Sequence, residues 1–306
     1  MQNGTARLEQ VRSYLITGQY NLICELFATI QPYDQADIIT LLNPEERQQV
    51  LNLFDDESLA LIFEELDPDI VSEVVEQFGP ERFSRILGEM AFDDAVDLLG
   101  ELHEDEAEEL LELMEADDAK DVKALLTHPE NTAGGLMTNE YIALRKEWTV
   151  EDALQRLREL APQAETIYYL YVTDAAGRLV GVASLRELII APPKALIGEI
   201  MSTNVISVMA GVDQEEVARI IEKYDFLAVP VVNKGGRMVG IVTVDDVIDV
   251  LEDEATEDIS RLAAIQGIRE VGDLRVSAHH AASETPSLAG VAYVIWTYFR
   301  EYHCPL

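Results

Sequence analysis

Residues 177–188 read G-R-L-V-G-V-A-S-L-R-E-L, and residues 236–247 read G-R-M-V-G-I-V-T-V-D-D-V. Each run opens on a glycine turn and continues through β-branched residues. Each closes on Ser or Thr followed three residues later by an acid, the signature of a strand that hands over to a capped helix. The likeness extends upstream, where L-M-T-N-E-Y-I-A-L at 136–144 returns as I-M-S-T-N-V-I-S-V at 200–208. Between these landmarks lie two acid-started amphipathic helices, T-V-E-D-A-L-Q-R-L and D-Q-E-E-V-A-R-I-I, and then the strands I-Y-Y-L-Y-V-T-D and A-V-P-V-V-N. The second half of the chain is therefore a duplicated β-α-β-β-α unit.

The first third carries a different period. Ile30, Leu42, Phe54, Leu66, Phe78, Met90, Leu102 and Met114 recur every twelve residues. Three positions earlier stand Phe27, Ile39, Leu51, Phe63, Val75, Leu87, Leu99 and Leu111. Breaks follow the early beats, as Q-P at 31–32, N-P at 43–44, D-P at 67–68 and G-P at 79–80. Proline costs nothing in a helix's first turn, and Asn or Asp caps the residue before it. The pattern predicts a row of short helices, none able to bury its own apolar stripe, stacked into a superhelix.

Composition narrows the function classes. The 306 residues include 58 acids against 22 bases, a formal net charge of −36, which repels nucleic acid and anionic lipid and favours cations or basic partners. Two cysteines, Cys24 and Cys304, exclude a disulfide framework and suit a reducing compartment. No signal peptide and no apolar run of membrane length are expected, so the chain as written reads as soluble. Phosphate-binding glycine loops, nucleophile elbows and zinc spacings are missing, and no enzyme is expected.

The duplicated unit, each copy ending G-h-h-[ST]-x-x-[DE] (h apolar), resembles a pair of CBS domains over roughly 136–253. That resemblance implies a compact module that dimerises. It also implies clefts that take adenosine nucleotides such as ATP or AMP, with Ser184 and Thr243 near the ligand and Glu187 and Asp246 as the motif acids. With the superhelix in front and the acid run after it, the chain resembles the cytosolic half of MgtE-type magnesium transporters. The stretches A-G-G-L-M-T at 133–138, A-E-T-I-Y-Y at 164–169 and D-Q-E-E-V-A-R at 213–219 carry that likeness. The implied architecture is α+β and multidomain: a helical superhelix over 1–130, CBS repeats over 131–197 and 198–253, and an acidic connecting helix over 254–275. The implied function is magnesium sensing on the cytoplasmic face of the cell membrane, gating a membrane domain elsewhere in a full-length transporter. A nucleotide sensor is the alternative.

Mg2+ takes six oxygens and gives up its waters reluctantly, so a regulatory site needs only a few carboxylates from each of two moving parts. F-D-D-A-V-D places Asp93 and Asp97 four apart on one helix face, and V-D-D-V-I-D places Asp246 and Asp249 three apart on the last CBS helix. The resemblance adds Glu215 and Asp225 in the second repeat, and Glu254, Glu257 and Asp258 in the connecting helix. Mn2+ or Ca2+ could take the place of Mg2+ at such carboxylates, and a purely solvated acidic surface stays open as the other reading. Family members also use an acid from an earlier helix, where this chain has Leu61 with Glu64 and Glu65 close by. His279 and His280 read as a surface pair.

Residues 276–306 leave the family pattern. One permitted back-translation of 283–306, read one base later, gives a basic flank and a long apolar run beginning A-K-R-L-P-W-L-A-L-L-M-L-F. The expectation is a frameshift at the entrance to a first membrane helix. Sequencing the locus tests it, since a clean frame with no downstream membrane-coding region overturns it.

Overall fold

The computed structural model describes residues 2–66, 68–251 and Thr256, and residues 1–251 cluster as one compact unit. Two helices, α1 (Gln2–Thr17) and α2 (Tyr20–Phe27), precede eight more: α3 (Pro32–Leu41), α4 (Pro44–Leu51), α5 (Asp56–Phe63), α6 (Pro68–Phe78), α7 (Pro80–Glu89), α8 (Phe92–Glu101), α9 (Glu104–Leu113) and α10 (Ala116–Leu125). From α2 onward the starts fall at 20, 32, 44, 56, 68, 80, 92, 104 and 116, twelve apart each time. Where proline marks the restart it occupies the first helical turn, and the Asn43 side chain completes a capping box with Glu46 at the start of α4.

Burial doubles that period. Leu42, Leu66, Met90 and Met114 are buried, while Ile30, Phe54, Phe78 and Leu102 are only partly covered. The cause is packing between alternate helices, α1 on α3, α3 on α5, α5 on α7, α7 on α9, and α6 and α10 on α8. The structural unit is thus a helix pair of 24 residues, twice the sequence period. Of the residues three before each beat, Phe27, Ile39, Leu51, Phe63, Leu87, Leu99 and Leu111 are buried and Val75 is partly covered, because they face the shared core in either layer.

Arginines tie one layer to the next. Buried Arg47 donates to the Ile39 carbonyl at 3.2 Å, the Leu42 carbonyl at 3.3 Å and Glu73 Oε2 at 2.9 Å. It satisfies carbonyls at the C-terminal end of α3, where cations are favoured. Arg47→Met is expected to leave buried acceptors unpaired and to cost about 2–3 kcal/mol. Urea unfolding of the helical domain checks this, and a loss below about 0.5 kcal/mol would contradict the role.

The duplicated half forms two three-stranded sheets of identical plan. In the first, β1 (Ala143–Arg145) runs parallel to β2 (Tyr169–Thr173), which pairs antiparallel with β3 (Leu179–Ser184). In the second, β4 (Val208–Met209), β5 (Ala228–Val232) and β6 (Met238–Thr243) repeat the order. Helix α11 (Val150–Leu160) follows β1 and α14 (Gln214–Tyr224) follows β4. The short helices α12 (Leu185–Ile190) and α13 (Ile197–Ile200) lie between the repeats, and α15 spans 244–251. The architecture is α+β, as expected.

The repeats exchange their leading segments. Thr138, at the start of the first copy, bridges to Ile241 in β6, and Ser202, at the start of the second, bridges to Val182 in β3. This close approach explains the shared glycine. A Cβ at Gly240 would stand 2.6 Å from the Thr138 carbonyl oxygen, and one at Gly181 2.5 Å from the Met201 sulfur. The connecting helix over 254–275 and the tail over 276–306 lie outside the described residues, apart from Thr256.

Candidate functional site

Helix α8 is where the two halves of the described chain meet. Phe92 and Val96 on α8 pack both into the helical core and into the cluster of Leu125, Met137, Val217, Ile221 and Val247. Residue 91 is alanine and offers no capping side chain, so the first amides of α8 find partners elsewhere. The Ala91 N–H donates to Glu64 Oε1 at 2.9 Å, and the Phe92 N–H donates to Glu140 Oε2 at 3.2 Å. Asp93 and Asp94 follow in the first turn.

Opposite stands α15. Val247 and Val250 bury one of its faces, which turns Asp245, Asp246 and Asp249 the other way. Asp246 Oδ2 accepts from the Thr243 hydroxyl at 2.5 Å and from the Thr243 amide at 3.3 Å, so the strand-to-helix cap fixes this carboxylate. Between the walls lies a cleft of about 450 Å³. It is lined by Glu64, Glu65, Glu89, Asp94, Glu140, Glu165, Asp245, Asp246 and Asp249, with Met90, Ala91, Pro162 and Ala164. Nine carboxylates face one space, and no Lys, Arg or His is among the lining residues.

The electrostatic consequence is severe. Burial, then Asp246, Asp94 and Glu165, hold Asp93 well above the usual carboxylate range, and its Oδ1 is buried with no hydrogen-bond partner. Asp94 is pushed up to about 8 by burial, then by Glu64, Asp246, Asp97 and Glu165. Asp97 rises to about 6 through burial and then Asp246, Glu130 and Glu101. Glu140 rises to about 7 through burial, against which the Phe92 amide pulls down. Burial first, and neighbouring acids second, also raise Glu65 and Glu165. Asp246 is raised by burial against the Thr243 hydroxyl bond. Asp246 is a cause in the shifts of Asp93, Asp94, Asp97 and Glu165 alike, which makes it the hub of the cluster.

A pH dependence follows. These carboxylates bind protons more tightly with the walls together than free in water, so the closed arrangement gains stability as pH falls through their raised values. In the presence of a chelator, protection of the cleft from amide exchange is expected to rise as pH drops from about 8.5 to about 5, after correction for intrinsic exchange. Protection that is flat or falls over that window would contradict the assignment.

Of the acids that spacing singled out, Asp246 and Asp249 line the cleft, whereas Asp93 and Asp97 are not among its lining residues and meet it through their repulsion by Asp246. The lining adds Glu64, Glu65, Glu89, Asp94, Glu140, Glu165 and Asp245. Leu61 is exposed, and Glu64 and Glu65 supply the acids of that helix end instead. Glu215 and Asp225 stand apart from the cleft. Glu215 pairs with Arg219 on α14, and Asp225 ends that helix in the left-handed region at φ 52°. Glu254, Glu257 and Asp258 lie outside the described residues. Ser184 and Thr243 cap their own helices: Ser184 donates to Glu187 Oε2 at 2.9 Å, as Thr243 does to Asp246.

Among the described residues no three His, Cys, Asp or Glu side chains converge tightly enough to hold a bare ion. The cleft fits a hydrated hard cation instead, one that keeps several waters and needs only one or two direct carboxylates. Asp93, beside the lining residue Asp94 but not itself in the lining, keeps its Oδ1 buried without a hydrogen-bond partner.

Comparison with known proteins gives concordant matches. The profile of the MgtE intracellular N domain matches residues 30–131, and that of the CBS domain matches 133–194 and 197–253. The magnesium transporter MgtE of Thermus thermophilus is 58% identical over 144 residues, 47% of this chain and 32% of that protein. Its Enterococcus faecalis namesake is 48% identical over 152 residues, 50% of this chain and 33% of that protein. The matched stretch thus spans about a third of these relatives. Among solved structures, the soluble part of a magnesium transporter is 38% identical with a TM-score of 0.75, covering 82% of this chain and 99% of that one. The cytosolic domain of the Mg2+ channel MgtE in complex with ATP is 41% identical with a TM-score of 0.76, covering 79% and 99%.

Proposed function

This chain belongs to the MgtE family of magnesium transporters, and on that premise we propose that its described region is a cytosolic magnesium sensor that regulates ion passage through a membrane domain. The observation that supports this most directly is the cleft in which nine carboxylates from the helical domain and the CBS pair face one another without a base. A hydrated Mg2+ supplies positive charge to that space. At low concentration the carboxylates of α8 and α15 repel, and the helical domain leaves the CBS pair. At high concentration the cation offsets the repulsion that Asp246 exerts on Asp93 and Asp97 of α8, and α8 closes on Asp246 and Asp249 of α15. A ligand shifts such an equilibrium only by its differential affinity, and an ion held from both walls binds the closed state better. The role is regulatory, with no catalysis.

Two copies would associate through the CBS pair. Ile189 on α12 and Ile248 on α15, equivalent positions of the two repeats, are 67% and 51% exposed, and Ile190 is 72% exposed beside them. Apolar side chains on matching helices suit a two-fold contact.

A second reading is favoured by the related cytosolic domain solved with ATP. Here the CBS pair takes an adenine nucleotide near Ser184 and Thr243, whose hydroxyls donate to their own helix acids and retain lone pairs as acceptors. Calorimetric titration separates the two. Heat on addition of MgCl2 that disappears in Asp246→Asn supports the cation sensor. Heat only on addition of ATP in a chelator would replace it with the nucleotide sensor.

A further inference from the structure

The geometry points to Glu140 as a cross-domain positioning residue: a carboxylate of the CBS pair that latches the N-terminus of α8 and holds the helical domain in place independently of any cation. The inference rests on the sensor reading above for what the latch regulates, but on hydrogen bonds alone for its existence.

Glu140 is rigidly held on the CBS side. Two residues before it, Thr138 is fully buried and exchanges both backbone hydrogen bonds with Ile241 at 2.9 Å. The Glu140 amide donates to the Thr138 hydroxyl at 3.3 Å, and its carbonyl accepts from the Glu165 amide at 2.9 Å. From this fixed backbone the side chain reaches Phe92 N–H, a donor of the other body. The neighbouring donor, Ala91 N–H, goes to Glu64 of the helical domain itself. The first two amides of α8 are therefore shared between two bodies, and the helix has no cap of its own to compete.

The repeat explains why the donor exists. Helices α3, α4, α6 and α7 begin with Pro32, Pro44, Pro68 and Pro80, residues without an N–H. Phe92 holds the equivalent position in α8, so its amide is free for an outside acceptor, while its ring packs against both cores. A helix N-terminus carries roughly half a positive charge, which favours a carboxylate over a neutral acceptor. Glu140 therefore differs in role from the other acids of the cleft. Glu140 shares the repulsion of its neighbours Glu165, Glu64 and Asp118, but its bond to the Phe92 N–H adds a pull on α8 in the opposite sense.

That difference in sign makes the test decisive. Magnesium-driven closure is followed by scattering for the wild type, Glu140→Ala and Glu140→Gln, with circular dichroism to verify the fold. Gln keeps a carbonyl acceptor and removes the charge, whereas Ala removes both. The latch predicts that Glu140→Ala raises the Mg2+ midpoint about five-fold, the equivalent of about 1 kcal/mol for a lost cap, while Glu140→Gln stays near or below the wild type. A midpoint lowered equally in both variants would make Glu140 one more repelling charge and overturn the proposal, as would an Ala variant matching the wild type. If the wild type itself shows no magnesium-specific closure, the sensor reading fails separately. Exchange of the Phe92 amide then decides the latch, which requires faster exchange in Ala than in Gln.

Discussion

Replacing Asp93, Asp97 and Asp246 together by asparagine is expected to lock the protein closed in the absence of magnesium and to abolish its response to the ion. Two unit charges about 6 Å apart repel by on the order of 3 kcal/mol at an effective dielectric of about 20. Asp246 alone contributes to the raised proton affinity of four other acids. Asparagine keeps an acceptor for the Thr243 hydroxyl, so the cap on α15 survives while the charge is removed. The measurement is interdomain distance by fluorescence transfer across a magnesium titration. The triple variant should show the closed distance with chelator present and a flat titration, and Asp246→Asn should show the largest single effect. A triple variant that opens and closes like the wild type would reduce the acids to a solvated surface.

The second large effect is steric. Gly135 lies in the turn that carries the chain from α10 onto the second CBS repeat, where Ala133 N–H reaches the Val212 carbonyl at 2.7 Å and Gly134 N–H the Ala210 carbonyl at 2.8 Å. A Cβ at Gly135 would stand 2.5 Å from the Pro129 carbonyl oxygen and closer still to that of Glu130. Both obstacles are backbone, so no side chain can swing aside. Gly135→Ala is expected to cost about 3 kcal/mol, at the upper end for overpacking, and to loosen the helical domain from the CBS pair. Thermal unfolding with limited proteolysis between residues 126 and 136 checks this. A variant within about 0.5 kcal/mol of the wild type, and no more readily cleaved, would show that the turn can relax.

Much of this architecture was readable from the chain. The twelve-residue beat matches the spacing of the helix starts from α2 to α10, but proline or a capping side chain marks only those of α3 to α7. It did not reveal that the packing unit is a helix pair. Which of two layers covers Leu42 and leaves Phe54 partly open is decided by neighbours some 24 residues away. The duplicated G-h-h-[ST] run announced both sheets, since turn, strand and cap all lie within twelve residues. Its exchanged leading segments, Thr138 on β6 and Ser202 on β3, depend on contacts over longer separations.

The site divides in the same way. Asp93 with Asp97, and Asp246 with Asp249, stood out because helical spacing puts each pair on one face. Glu140 is an isolated acid in a stretch singled out for its internal repeat and Glu165 one in a stretch singled out for its family likeness, and no local pattern says that they meet α8. Asp94 was passed over because it sits between the favoured pair, yet it carries one of the largest shifts. Glu64 and Glu65 follow Leu61 closely in the chain, and they line the cleft while Leu61 does not. Glu215 and Asp225 fit the role of helix ends on α14 more directly than that of cleft acids.

Small-angle scattering of the purified protein, titrated with magnesium chloride and with sodium chloride at matched ionic strength, tests the central claim most directly. Screening alone relaxes repulsion among acids, so the salt control separates a bound ion from an ionic atmosphere. The account predicts a compaction specific to magnesium, in a particle with the mass of a dimer. An equal response to both salts would contradict it.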